Sequence, residues 1–306
     1  MNTAIIRDFA SILRIHIIAI AMTAALVFGH ILTDRFALSV VIIGGLDWLL
    51  INLLNRVTDL KEDLVNGIRG TERIARHPNG ALGAWVALLV GSFVFSVLVA
   101  PEITVWRLGV QAVGVGYSYR VVPTLRGLVR FKDLYFFKNF MSALLFVTTV
   151  FIYPLAVNGF AFAGESGPPS LGTLLVLIAF FVPFEITYEI LYDMRDLDGD
   201  RAAGVPTYPV AHGLDTSARI INWLLVIASA AIALGFLAGF VGVRELLMIA
   251  APVIQYLFYR PRFERGITTG ECIGLTWIGA GLLLFWLVGT TLWDDAGLPG
   301  NIYLNL

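Results

Sequence analysis

The sequence predicts an all-α polytopic membrane protein, with nine transmembrane helices around a central cavity. They fall into two four-helix pseudo-repeats plus one further helix. Three observations carry this expectation. Mean hydropathy is +0.82, and of 306 residues 58% are hydrophobic and only 14% charged, unlike a soluble globule of this size. Apolar stretches near the roughly 20 residues needed to span about 30 Å of hydrocarbon recur along the whole chain. Backbone polar groups must be paired inside lipid, so these stretches are helices; the ten-residue alternation of a membrane barrel is missing.

Taken in order, the first stretch, 11–32, follows Arg7 and contains Arg14. It is too long for a signal-peptide core and lacks a small-residue cleavage site, so it is read as retained. The second, 36–55, holds Asp47 and runs into NLLNRVTDLKED, and the loop behind it carries Arg56, Lys61, Arg69, Arg73 and Arg76. The third and fourth, 81–99 and 103–119, bracket a short connection near Arg107; Arg120, Arg126, Arg130, Lys132 and Lys138 come after. The fifth, 134–156, leads to the turn-rich segment Ala163-Gly164-Glu165-Ser166-Gly167-Pro168-Pro169. The sixth, 171–192, contains Glu185 and Glu189 and ends in YEILYDMRDLDGDR; Arg195, Arg201 and Arg219 follow. The seventh is 217–240, and the eighth, 243–259, starts at Arg244 and is trailed by Arg260, Arg262 and Arg265. The ninth, 271–292, holds the single Cys272, which excludes an intrachain disulfide. Residues 1–306 read as a single transmembrane domain, because the polar connections are only loops.

Alternating the sides of these spans sorts the charge. Eighteen of the 21 lysines and arginines fall on one side, and only Arg35, Arg107 and Arg244 on the other. The positive-inside rule then places the chain in a cell membrane as a multi-pass protein, N-terminus and acidic loops cytoplasmic. The net charge of −1 says little beside this sorting, and nothing points to nucleic acid.

The two acidic runs are the candidate site. Asn55, Asp59 and Asp63 are spaced by four, which keeps them within an arc of roughly 80° on a helix. Glu185, Glu189, Asp193, Asp196 and Asp200 follow a similar stripe, with Gly199 a point of interruption. Asp198 and Glu62 point away from their stripes and read as hydrophilic helix ends. Carboxylates packed this closely repel one another unless a cation sits among them. A hard divalent ion such as Mg²⁺, with Mn²⁺ as a substitute, suits oxygen ligands and phosphate. The runs lie 137 residues apart, from Asp59 to Asp196, a spacing that suggests internal duplication and places them across a shared cavity.

These motifs resemble the UbiA superfamily of intramembrane prenyltransferases, whose signatures are NDxxDxxxD after helix two and DxxxD after helix six. The first appears as Asn55-Arg56-Val57-Thr58-Asp59-Leu60-Lys61-Glu62-Asp63, the second as Asp196-Leu197-Asp198-Gly199-Asp200. The run from Asp193 through Arg201, Gly204, Thr207, Pro209 and Val210 is similar to the branch that prenylates homogentisate, chlorophyllide and glycerol-phosphate lipids. Tyr117-Ser118, Arg130-Phe131-Lys132 and Lys138-Asn139 fit the family's loop between helices four and five. Arg14 matches an early arginine, with Ile15 in place of the usual proline. Two departures stand out: Arg56 replaces a second aspartate, and Arg69 to Arg76 replace an RPxRP-like run.

The resemblance implies Mg²⁺-dependent transfer from a prenyl diphosphate to an aromatic, quinone-precursor or lipid-like acceptor within the membrane. Asn55, Asp59 and Asp63 would hold one ion, and Asp196 and Asp200, with Asp193 beside them, another. Asp59, Asp63, Asp196 and Asp200 would carry the catalysis. Arg14, Arg56, Arg130, Lys132, Lys138 and Arg201 would neutralise the diphosphate. Tyr117 is a candidate for stabilising the allylic cation, though an interfacial tyrosine fits its position equally well. Two alternatives stay open. One is a UbiA-type terpene cyclase; the other is a cation-coupled transporter using Asp47, Glu185 and Glu189.

Overall fold

The computed structural model describes residues 3–125, 127–135, 137–164 and 167–304. Arg126 and the Glu165-Ser166 pair of the expected turn lie outside the described residues. The chain forms an all-α membrane bundle. Its long helices are α1 (Ile15–Thr33), α2 (Leu38–Thr58), α3 (Pro78–Val99), α4 (Thr104–Ser118), α5 (Phe137–Val157), α6 (Leu171–Arg195), α7 (Leu214–Leu237), α8 (Ala250–Tyr259) and α9 (Thr269–Asp295). Neighbours in sequence pack as neighbours in space, and α9 closes the ring by packing on both α1 and α6.

Among the described residues, seven of these helices are long and apolar enough to cross a membrane. The expected spans at 103–119 and 243–259 form shorter rods. In the second of these, Pro252 has no N–H for the carbonyl four residues back and its ring crowds that carbonyl. The chain answers with a 3₁₀ turn at Leu247–Ile249, between Val243–Leu246 and α8. Pro154 acts the same way in α5, where a π turn spans Thr148–Ile152 just before it.

Lipid gives no hydrophobic drive for helix association, so the bundle relies on packing and internal polar pairs. Phe28 meets Phe151 with ring centroids 5.0 Å apart, and Trp48 lies against Phe146 at 3.9 Å. Beside this aromatic core Asp47 and Arg107 are completely buried. Arg107 donates to Asp47 at 2.6 and 3.0 Å and to the Ser92 carbonyl at 2.7 Å. Gln111 and the Tyr153 hydroxyl complete Asp47's shell, each at 2.9 Å. Arg107, counted from sequence as a loop cation, is thus a core residue that neutralises Asp47.

Between α4 and α5 the chain makes a small antiparallel hairpin, Val122–Thr124 with Gly127–Val129, pairing Val122 with Val129. The 3₁₀ turn Phe131–Asp133 follows and seats Phe131 on α4. Gly116 makes that seat possible, because a Cβ there would come within 2.6 Å of the ring. The same turn aims Lys132 into the bundle.

Candidate active site

Each acidic run breaks its helix at an aspartate. Asp59 ends α2 with φ −100° and ψ 21° and starts the short helix Leu60–Val65. Asp196 ends α6 with φ −94° and ψ 12° and starts Leu197–Ala203. The break falls at Asp196, while Gly199 stays helical. Its missing side chain lets the two short helices touch, and its N–H donates to Asn66 Oδ1 at 3.0 Å. The motifs are thereby fastened together at one end of the bundle.

They open onto one cleft, lined by Asn55, Arg56, Asp59, Asp63, Asp193, Asp196 and Asp200. Arg14 reaches it from the start of α1, held by an αL backbone with φ 49°. Tyr117, Lys132 and Lys138 line it from α4, the connecting turn and the start of α5. Ile17, Ile20, Phe146 and Tyr188 supply apolar wall deeper in. Glu185 and Glu189 also face the cleft, and Ser142 donates to Glu189 at 2.7 Å.

The charges are interleaved. Lys132 Nζ lies 2.5 Å from Asp59 Oδ1 and 2.7 Å from Glu62 Oε2. Arg56 Nη1 pairs with Asp63 at 2.6 Å, both side chains being buried. Lys138 Nζ bridges Asp193 at 2.7 Å and Asp200 at 3.1 Å, and Asn139 donates to Asp193 at 2.8 Å. Arg195 pairs with Asp196 and lies over the Tyr192 ring. Burial pushes the Asp59 carboxyl above its ordinary range against the pull of Lys132. Burial likewise pushes Asp200 up to about 6, with Lys138 opposing and Asp193 adding.

Two residues fall elsewhere. Arg201 is exposed against Asp198, away from the cleft. Arg130 stands behind Lys132, committed to Asp133 at 2.8 Å and reaching Glu62 at 3.4 Å. Glu62, Asn66, His16 and Arg195 line the cleft although the stripes did not single them out. Glu62 turns inward because the helix restarts at Asp59, which resets the angular spacing.

Among the described residues, eight carboxylates line the cleft against five lysines and arginines. That excess, the all-oxygen donor set and an Asn55 Oδ1 buried without a partner among the described residues fit a hard divalent cation. Among the described residues no three acidic, histidine or cysteine groups converge on a point that could hold a metal by themselves. Ligand and water oxygens would therefore have to complete the shell.

The chain matches the UbiA prenyltransferase family over residues 16–268. It is similar to the digeranylgeranylglyceryl phosphate synthase of Thermococcus sibiricus, 26% identical over 203 residues covering 64% of this chain and 63% of that one. The enzyme of that name from Natronomonas pharaonis is 30% identical over 192 residues, 62% of each chain. The chain thus spans less than two thirds of these relatives' length. A solved UbiA homolog from Archaeoglobus fulgidus, bound to GPP and Mg²⁺, shares the fold with a TM-score of 0.68. It is 17% identical, with 92% of this chain and 98% of that one covered.

Proposed function

The chain belongs to the UbiA prenyltransferase family, and from that membership and the cleft we propose that it moves a prenyl group from a prenyl diphosphate to an electron-rich acceptor inside the membrane. One observation carries the reading: two aspartate-broken helices face each other across a cleft that is cationic and anionic at its mouth and lined further along by Ile17, Ile20, Phe146 and Tyr188, with Glu185 among them. Such a cleft suits a molecule with a polyanionic head and a greasy tail. The homolog of the same fold was solved with GPP and Mg²⁺, which supports that donor and that ion.

The oxygens open to Mg²⁺, or to Mn²⁺ in its place, are those of Asn55, Asp59 and Asp63 in the first motif and of Asp193, Asp196 and Asp200 in the second. When bound, the ion supplies positive charge that makes diphosphate a better leaving group. Lys132, Lys138, Arg56, Arg195 and Arg14 place further positive charge where the leaving oxygens gain negative charge. Ile17, Ile20, Phe146 and Tyr188 would hold the first isoprene units and exclude water, which would otherwise capture the allylic cation. Tyr117 presents a ring to the same space. Asp47, the other candidate for a carrier-type cation site, is tied to Arg107 and lies off the cleft lining, which disfavours a transporter.

The acceptor class best supported is a glyceryl phosphate lipid, because the relatives are named for such a product. Aromatic and quinone-precursor acceptors, and cyclisation without an acceptor, are distinguished from it by product mass. The motifs and the N-terminus would face the cytoplasm. The test is release of diphosphate from labelled geranyl diphosphate by the purified protein. Full turnover in excess EDTA, or no ionisation of any prenyl diphosphate with Mg²⁺ present, would sink the proposal.

A further inference from the structure

The duplicated motif supplies an internal comparison for Arg56. A shift of 137 residues relates Asp59 to Asp196, Asp63 to Asp200 and Ile68 to Val205. The backbone repeats in detail. Asp63 N–H donates to the Asp59 carbonyl and Asp200 N–H to the Asp196 carbonyl, both at 2.9 Å. Ile68 N–H then donates to Asp63, and Val205 N–H to Asp200, again at 2.9 Å. Gly67 and Gly204 occupy the same place with φ of 62° and 70°. Under this shift Arg56 corresponds to Asp193.

Lys61 and Asp198 also differ in sign but lie off the cleft lining; of the shifted pairs that line it, Arg56 and Asp193 are the pair of opposite charge. Asp193 is buried and held by Lys138 and Asn139. Arg56, only 5% exposed, gives Nη1 to Asp63, and its Nε has no partner among the described residues. Exchanging a carboxylate for a guanidinium changes the charge by two units, which is the charge of one divalent ion. The surroundings agree. Asp59, Glu62 and Asp63 meet Arg56, Lys132 and Arg130. Asp193, Asp196 and Asp200 meet only Lys138 and Arg195 among the described residues, with Glu189 one helical turn further in.

We propose that Arg56 takes the place of a divalent ion in the first motif, so that the cleft loads one tightly held ion, at the second motif, instead of a symmetrical pair. This rests on the prenyl-diphosphate reading above. The guanidinium is planar, permanently charged and able to donate two parallel hydrogen bonds to phosphate. It needs no ion to bridge it to the donor. The first motif then binds diphosphate through Arg56 and Lys132, and Asp63 fixes the guanidinium instead of acting as a metal ligand.

The experiment counts Mn²⁺ by electron paramagnetic resonance on the purified full chain. The probe is geranyl thiolodiphosphate, whose bridging sulfur slows ionisation. The expected result is one tightly bound Mn²⁺ per wild-type chain and two in Arg56→Asp. Asp196→Asn should lose the wild-type ion and Asp63→Asn should keep it. Arg56→Ala should keep one ion and bind the analogue about tenfold to a hundredfold more weakly, the loss of a charge-assisted hydrogen bond. Two ions in the wild type with the analogue bound, or one ion lost with Asp63→Asn and kept with Asp196→Asn, overturns the inference alone. A wild type that binds neither ion nor analogue overturns the prenyl-diphosphate reading itself. The wild-type count decides the matter even where a variant fails to fold.

Discussion

Asp59 and Asp196 each close one helix and open the next, and their carboxylates point into the cleft opposite Lys132 and Arg195. Asp59→Ala or Asp196→Ala should therefore lower turnover by about a hundredfold or more without preventing membrane insertion, as read by single-turnover assay and by yield in the membrane fraction. Asp200 sets a pH dependence. Its pKa is raised from 3.8 to about 6, first by burial. An acid with a raised folded pKa costs stability when ionised, so the ion-free protein gains stability as pH falls through about 6. Divalent-ion affinity runs the other way, because a protonated carboxyl is a poor ligand. Mn²⁺ affinity should fall about tenfold per pH unit below 6 and level off above it; calorimetric titration showing no change from pH 7 to 5 would refute this. At this scale helical spacing made Asp59, Asp63, Asp196 and Asp200 visible in the sequence. It hid Glu62 and Arg195, since a break in the helix shifts the face on which every later residue appears.

Elements carry the precision of the site. The short helices Leu60–Val65 and Leu197–Ala203 are joined through Asn66 and Gly199, so Asn66→Ala leaves the Gly199 N–H without its acceptor. The expected cost is about 1–3 kcal/mol, seen as a lower thermal midpoint, together with weaker donor binding as the motifs separate. A midpoint equal to wild type would show that the joint is dispensable. Deeper in the bundle, Arg107→Met should cost about 3–5 kcal/mol by stranding the Asp47 charge, and Asp47→Leu combined with it should recover much of the loss. A double variant as unstable as the single would deny the pairing its role. Apolar length alone made most of the spans legible. It could not reveal the 3₁₀ turn before Pro252, the π turn before Pro154 or the hairpin at Val122–Thr124, because those follow from where prolines and packed rings force the backbone to depart from a regular helix.

At the scale of the whole molecule, orientation follows from which end of the bundle holds the site. The ends of α2 and α6 and the starts of α1, α5 and α9 all contribute to the cleft, so they share one face, and the basic loops lie on it. Arg107 drops out of the opposite count because it is buried on Asp47, which leaves Arg35 and Arg244 there and strengthens the asymmetry. The cleft should therefore face the cytoplasm, where soluble Mg²⁺ and diphosphate can reach it. Cysteine labelling tests this directly, and the fold dictates where to place the probes. Thr71 is buried and would react poorly, whereas Glu72 in the loop after α2 and Glu102 between α3 and α4 are exposed. The native Cys272 is 2% exposed and gives little background. In intact cells a membrane-impermeant maleimide should modify Glu102→Cys and spare Glu72→Cys until the membrane is opened. The reverse pattern would turn the protein over and put its cleft outside.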